Sequence, residues 1–158
     1  MGRPLVCMDA AGIYARESQA LGRSVQIGVA GSKLISVSFP TEPDQGAGND
    51  HPLLDRIADY LDGDPVDFAD VDVGLTVPTD QRAVLEELRT VPYGESVSAE
   101  TVARMTPTLD DVEAGVGVVR TAVERNPTPL VVPDHRVRDA SGPAPDAVTR
   151  YLREREGI

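Results

Sequence analysis

Asn126-Pro127-Thr128-Pro129-Leu130-Val131-Val132-Pro133-Asp134-His135-Arg136-Val137 is the stretch on which the reading of this chain turns. Its apolar centre is bracketed by prolines, each of which fixes φ and withholds a backbone donor. Directly after it come a carboxylate, an imidazole and a guanidinium at three successive positions. An aspartate here opens a turn or caps a short helix in the ordinary way, and His135 beneath it would then satisfy that carboxylate. The alternative is that the same groups face a ligand.

On either side of this stretch the pattern is helical. Val84, Leu85 and Leu88 fall on one face of a helix over residues 79–90; Ser98 is placed to cap a second helix over 98–105; a third runs over 110–125 and a fourth over 145–156. Thr106-Pro107-Thr108 reads as the turn between the second and third, and short helices joined by a tight turn are the raw material of a helix-turn-helix. The first half reads differently. Residues 24–30 and 33–39 alternate apolar and polar about Gly31-Ser32, the signature of a β-hairpin with a two-residue turn. A Pro/Gly/Asp-rich loop over 41–50 leads to His51-Pro52. From there Leu53, Leu54, Ile57, Ala58 and Leu61 recur at helical spacing to about Asp62. Residues 62–77 are expected to hold one strand and a linker.

Composition bounds the function. In 158 residues the aromatics make up only 4% and tryptophan is absent, so Val, Leu, Ile and Ala must form the core. No apolar run approaches the ~18 residues of a membrane helix, and the start, residues 1–8, lacks a signal-peptide layout, so a cytoplasmic protein is expected. One cysteine, Cys7, excludes an internal disulfide and a cysteine-based zinc site, and with only His51 and His135 besides, no metal is expected. The net charge is −11, and Lys33 is the only lysine among fifteen basic residues. Such a surface disfavours ordinary polyanion binding but suits a multi-molar-salt cytoplasm, where charges are screened within about 3 Å at 1 M; a halophilic setting is the expectation. The charge is uneven. From residue 79 on there are fourteen acidic and ten basic residues, net −4, against twelve and five, net −7, before it. The second half is thus the less repelled by DNA.

Three motifs then carry a family resemblance. Val91-Pro92-Tyr93-Gly94-Glu95, Asn126-Pro127-Thr128-Pro129 and Pro133-Asp134-His135-Arg136-Val137 stand in the order and spacing of the "PYGE", "NPxP" and "PCHRV" runs. On these the chain resembles the O6-alkylguanine-DNA alkyltransferases, also called methylated-DNA protein-cysteine methyltransferases, over nearly its full length. Residues 34–39 and His51-Pro52-Leu53-Leu54 add weaker matches. The resemblance implies an α+β fold: a small ribonuclease-H-like N-terminal sheet domain over 1–77, then an all-helical winged helix-turn-helix-like DNA-binding domain over 78–158. It implies no cofactor. The implied partners are double-stranded DNA carrying O6-alkylguanine and other repair proteins. The family's reaction is a single SN2 transfer of the alkyl group from a flipped-out base to a cysteine thiolate, which consumes the protein.

Carried over position by position, the resemblance gives His135 as the activating histidine, Glu156 as the glutamate of the final helix and Asn126 as the hinge asparagine. Asp134 replaces the acceptor cysteine. Ala99 stands where the family commonly has the tyrosine that turns the flipped nucleotide's phosphate, and Gly117 where it has the arginine that fills the vacated stack. Arg120 lies one helical turn beyond Gly117, about 5 Å along the axis. The segment 138–148 is shorter than the family's active-site loop, with Ser141-Gly142-Pro143-Ala144-Pro145 in place of the glycine- and tyrosine-bearing pocket wall. Cys7 lies outside every matched motif and reads as a small buried apolar residue.

Three functions compete. The first is a non-catalytic homologue that binds DNA, with Arg104, Arg120 and Arg125 available for phosphates. The second is an interaction or structural module without DNA activity. The third is a surviving methyltransferase with an unconventional acceptor, for instance an ester on Asp134; a carboxylate of pKa ~4 is a weak nucleophile for that task. A positive stripe from Arg104 past Arg120 to Arg125 would favour the first, and an acidic one formed with Asp110, Asp111, Glu113 and Glu124 the second. If Asp134, His135 and Glu156 cluster, two carboxylates flank the imidazole and a raised histidine pKa is expected.

Overall fold

Gly31, at φ 61, takes the first central position of a two-residue turn between paired Ala30 and Lys33, the place where a type II′ hairpin requires glycine. It joins β2 (Arg23–Ala30) to β3 (Lys33–Ser38), the expected hairpin. A third strand, β1 (Ala11–Ser18), pairs antiparallel with the other edge of β2, from Ala11 opposite Ala30 to Ser18 opposite Arg23, giving the order β1-β2-β3. The hairpin periodicity did not announce it. The computed structural model describes residues 11–107, 109 and 111–158; Cys7, residues 1–8, Thr108 and Asp110 lie outside them.

The helix α1 (Pro52–Leu61) begins where His51 Nδ1 accepts the Leu53 backbone N–H at 3.1 Å, with Pro52 in the first turn, where its missing N–H costs nothing. Leu53, Leu54, Ile57, Tyr60 and Leu61 are buried, as are Ala15, Val25, Ile27, Leu34 and Val37 of the sheet. Each such aliphatic side chain contributes roughly 1.5–3 kcal/mol on leaving water. The strand expected within 62–77 is not there. Val73 makes a single parallel bridge to Leu34, and the surrounding Asp, Pro and Gly residues stop the pairing at that one residue.

Of the described residues, those from 11 to 74 form one compact unit and those from Leu75 on a second. In the second, α2 (Thr79–Leu88), α3 (Ala99–Met105) and α4 (Val112–Glu124) enclose a core of Val84, Leu85, Leu88, Val102, Val119 and Val123, joined by Val132 and Val137 from the chain beyond. Ser98 caps α3 through the Thr101 N–H at 3.1 Å. Helices α3 and α4 approach closely at Gly115, where a Cβ would lie 3.2 Å from that of Ala103. The last helix is α5 (Asp146–Glu156). No helix among the described residues is long and apolar enough to cross a membrane.

Candidate functional site

Asn126, just past the end of α4, organises the segment that follows. Its Oδ1 accepts the Thr128 backbone N–H at 3.0 Å; its Nδ2 donates to the Val132 carbonyl at 3.1 Å and to Asp134 Oδ2 at 3.0 Å. The Val132 N–H closes the loop on the Thr128 carbonyl at 2.9 Å. Within it Leu130, buried, takes φ 79, a left-handed conformation that costs a branched side chain about 1–2 kcal/mol. The asparagine bonds and the burial of Leu130 over-determine the turn and hold it there. A short 3-10 turn, Asp134–Arg136, follows.

Asp134 opens that turn, as expected, but its carboxylate is not satisfied by the imidazole of His135. Its partners are the Asn126 amide and the His135 backbone N–H. The reason is local geometry: the 3-10 turn carries the two side chains apart. Asp134 is only 3% exposed, and a Cβ built on Gly142 would fall 2.3 Å from its Oδ2, so the glycine backbone roofs the carboxylate. Burial pushes its pKa up to about 7, against the lowering influence of Asn126, Arg153 and the His135 N–H.

His135 turns the other way. Its Nε2 meets Glu156 Oε2 at 2.6 Å, and both side chains are buried. Glu156 is also held by Arg136, through Nε to Oε1 at 2.8 Å and Nη2 to Oε2 at 3.1 Å, and by the Gly94 N–H at 3.0 Å. Arg136 Nη1 donates to the Val91 carbonyl at 2.6 Å, so the "PYGE"-like run is tied to the same point. Burial alone would raise Glu156, but the hydrogen bonds from His135 and Arg136 outweigh it and hold the carboxyl at about 2. The expectation of a raised histidine pKa is overturned: burial lowers it, Glu156 opposes, and Arg136 and Arg153 lower it further. Glu156 is the carboxylate that meets the ring, and Arg136 already compensates its charge. Because Glu156 is ionised and can only accept, the Nε2 nitrogen is the donor in this pair.

The structure thus brings Asn126, Asp134, His135 and Glu156 into one buried region, with two separate sets of bonds. Residues that pattern reading passed over complete it. Arg153 donates to the carbonyls of His135 at 2.9 Å and Val137 at 3.0 Å, and Gly142 closes over Asp134. Arg153, three residues before Glu156 on the same helix face, was findable from spacing; Gly142 was read only as part of the segment standing in place of the pocket wall, with no role of its own. Gly142 also lines a cavity of about 350 Å³ with Ser141, Asp146, Arg150 and Arg153.

The remaining candidates lie around α3 and α4. Ala99 is fully buried at the start of α3, and its N–H donates to Asp139 Oδ1 at 2.7 Å. Gly117 is exposed on α4, and a Cβ there would meet nothing within 4 Å. Arg104 pairs with Glu100 at 2.5 Å and Arg120 with Asp139 at 3.7 Å, all exposed; Arg125 is exposed at the C-cap of α4. The exposed stripe of α4 reads Glu113, Gly117, Arg120, Glu124, neither the positive nor the wholly acidic face expected.

Comparison with known proteins bears on this arrangement. Residues 79–157 match the family profile described as 6-O-methylguanine DNA methyltransferase, DNA binding domain. A methylated-DNA--protein-cysteine methyltransferase of Methanopyrus kandleri is 37% identical over 112 residues, 69% of this chain and 81% of that protein. The crystal structure of Mycobacterium tuberculosis O6-methylguanine methyltransferase superposes with a TM-score of 0.70 at 26% identity, covering 92% of each chain. The Mycobacterium tuberculosis OGT in complex with DNA gives a TM-score of 0.68 at 25% identity, covering 92% of this chain and 93% of that one.

Proposed function

The chain belongs to the O6-methylguanine-DNA methyltransferase family, and from that premise we propose that it is a non-catalytic member that binds DNA, including duplexes carrying O6-alkylguanine. The observation that carries the non-catalytic half is the state of Asp134. It occupies the acceptor position, is 3% exposed under Gly142, and holds its proton up to about pH 7. An attacking atom must be reachable and electron-rich, and this carboxyl is neither. His135 donates to Glu156, so a relay around the position is in place without a thiol to activate.

The DNA-binding half is supported by the matched profile over 79–157 and by the DNA complex of a structural neighbour. In this reading the division near residue 77 separates a ribonuclease-H-like sheet domain from a winged helix-turn-helix domain. Arg104, Arg120 and Arg125 meet phosphates. The acidic, lysine-poor surface belongs to a salt-rich cytoplasm, where the protein works beside other repair factors.

One observation favours the interaction module instead: Glu113 and Glu124 flank Arg120 on the exposed face of α4. A single experiment separates the readings. The protein is titrated, at several salt concentrations, with a duplex containing one O6-methylguanine and with its unmodified twin, and its intact mass is measured afterwards. Binding without a mass change is expected. A gain of one methyl would overturn the non-catalytic assignment, and no binding at any salt would leave the interaction module.

A further inference from the structure

Helix α4 (Val112–Glu124) contains a single basic residue, Arg120, and that residue faces Asp139, Nη2 to Oδ2 at 3.7 Å. The two halves of this pair are not equally free. Asp139 is anchored, because its other oxygen accepts the first N–H of α3, that of Ala99, at 2.7 Å, and because the neighbouring Arg138 N–H bonds the Val97 carbonyl at 2.9 Å. Arg120 hangs on a long flexible stem with its side chain 55% exposed, at a distance that marks a loose ion pair rather than a close hydrogen bond. One turn before it Gly117 presents bare backbone, with nothing within 4 Å of where a Cβ would stand, so a polyanion can come close to the helix beside Arg120.

Building on the DNA-binding reading, we infer that Asp139 sets the DNA affinity of α4 by holding Arg120 in an internal ion pair that a phosphate must displace. Asp139 is a positioning residue in this scheme and touches no nucleic acid itself. Binding is an exchange: Arg120 leaves Asp139 for a phosphate oxygen, and Asp139 keeps its bond to the Ala99 N–H and takes solvent in place of the guanidinium. Because the cost of breaking an exposed pair is small, the brake is modest. Because rising salt screens the internal pair along with the phosphate contact, the brake also flattens the dependence of affinity on salt.

The test is a double-mutant cycle read on an unmodified fluorescent duplex at several salt concentrations, with wild type, Asp139→Asn, Arg120→Ala and the double variant. Asparagine keeps an oxygen for the Ala99 N–H and removes only the charge; Asp139→Ser, which also keeps an acceptor, is the second route should the first unfold, as thermal denaturation will report. The expected result is binding about two- to fivefold tighter for Asp139→Asn, the range of an exposed ion pair. The slope of log affinity against log salt should steepen by up to ~0.9, the equivalent of one phosphate contact. In the Arg120→Ala background the gain should vanish. An equal gain with and without Arg120 would reduce the effect to general charge and overturn the inference, as would no gain at all. Failure of every form, wild type included, to bind at any salt would overturn the DNA-binding reading together with it, whereas in the first two cases wild type still binds.

Discussion

Gly142 lies against the carboxylate of Asp134 so closely that a single methyl group on it would come 2.3 Å from Oδ2 and 2.7 Å from Cγ. The segment after the 3-10 turn and the acceptor position are therefore fitted to each other, a bare glycine against a buried carboxyl group. Gly142→Ala should destabilise the protein by about 1–3 kcal/mol, the usual cost of overpacking. Shortening the partner should cure it: in an Asp134→Ala background the same glycine change is expected to be close to neutral. Urea denaturation of the two single variants and the double variant measures the coupling.

A carboxyl held at about 7 in the folded protein and 3.8 in the unfolded chain works against stability at neutral pH. The unfolded state releases the proton as pH rises past 3.8 while the folded state keeps it, so stability falls across the window from about 4 to about 7 and is level above it. The total is on the order of 4 kcal/mol at 1.36 kcal/mol per pH unit. Asp134→Asn, which keeps an oxygen for the Asn126 amide, should be the more stable protein at pH 8 by up to that amount and equal to wild type near pH 4. Chemical denaturation at the two pH values decides it; a difference that does not change with pH would contradict the burial of the charge.

Glu156 has the opposite sign. Its carboxyl is held at about 2 against an ordinary 4.5, so its contribution is complete above pH 4.5 and is lost as pH falls toward 2. Glu156→Gln leaves Arg136 buried without its counter-charge and should cost about 3–5 kcal/mol at neutral pH. That loss should shrink below pH 4.

His135 is expected to titrate below 6.5, contrary to the reading of a ring between two carboxylates. Its unfolded-state imidazole gains a proton below pH 6.5 that the folded state refuses, so stability falls on acidification from there. Two-dimensional NMR titration of the ring protons, with His51 as the second resonance set, tests this; an apparent pKa above 6.5 would reverse the assignment.

Restoring a thiol by Asp134→Cys should not restore alkyl transfer. The sulfur would stand at a position 3% exposed beneath Gly142, where burial opposes the thiolate, and Ala99 and Gly117 would still lack the side chains that resemblance assigns to base flipping. Intact mass after incubation with an O6-methylguanine duplex is expected to be unchanged; addition of one methyl would mean that the pocket opens.

The order of elements was legible because their signals are local. The hairpin at Gly31-Ser32, the Ser98 cap and the apolar faces of α1 and α2 each follow from spacing within about ten residues. Strand β1 was missed because Ala-Gly-Ile-Tyr-Ala-Arg-Glu-Ser alternates weakly and owes its strand to pairing with β2. The strand expected within 62–77 shrank to one bridge, at Val73, because Asp, Gly and Pro prevail there. At the candidate site, Asn126, Asp134, His135 and Glu156 were named from motifs, but how they divide was not. The 3-10 turn sends Asp134 to Asn126 and His135 to Glu156, and the ion pair of Arg136 with Glu156, twenty positions apart in sequence, removes the charge that was to act on the ring. Long-range compensation of that kind leaves no local periodicity to read.

The bond from Gly94 to Glu156 spans 62 positions. Closing a loop of that length costs about 4 kcal/mol in chain entropy before the contact returns anything, whereas α3 ends at Met105 and α4 begins at Val112, close in sequence. On the cost of that long loop the final helix is expected to dock after α3 and α4 have met. Glu156 and Arg136 must surrender their hydration shells in the same event, since neither tolerates desolvation alone. Unfolding should run in reverse, beginning with the release of α5, and Arg153 would carry its support for the His135 and Val137 carbonyls away with it. The acceptor turn is then expected to lose support as soon as the last helix is released, and native-state hydrogen exchange should find its amides less protected than those of α2 and α4.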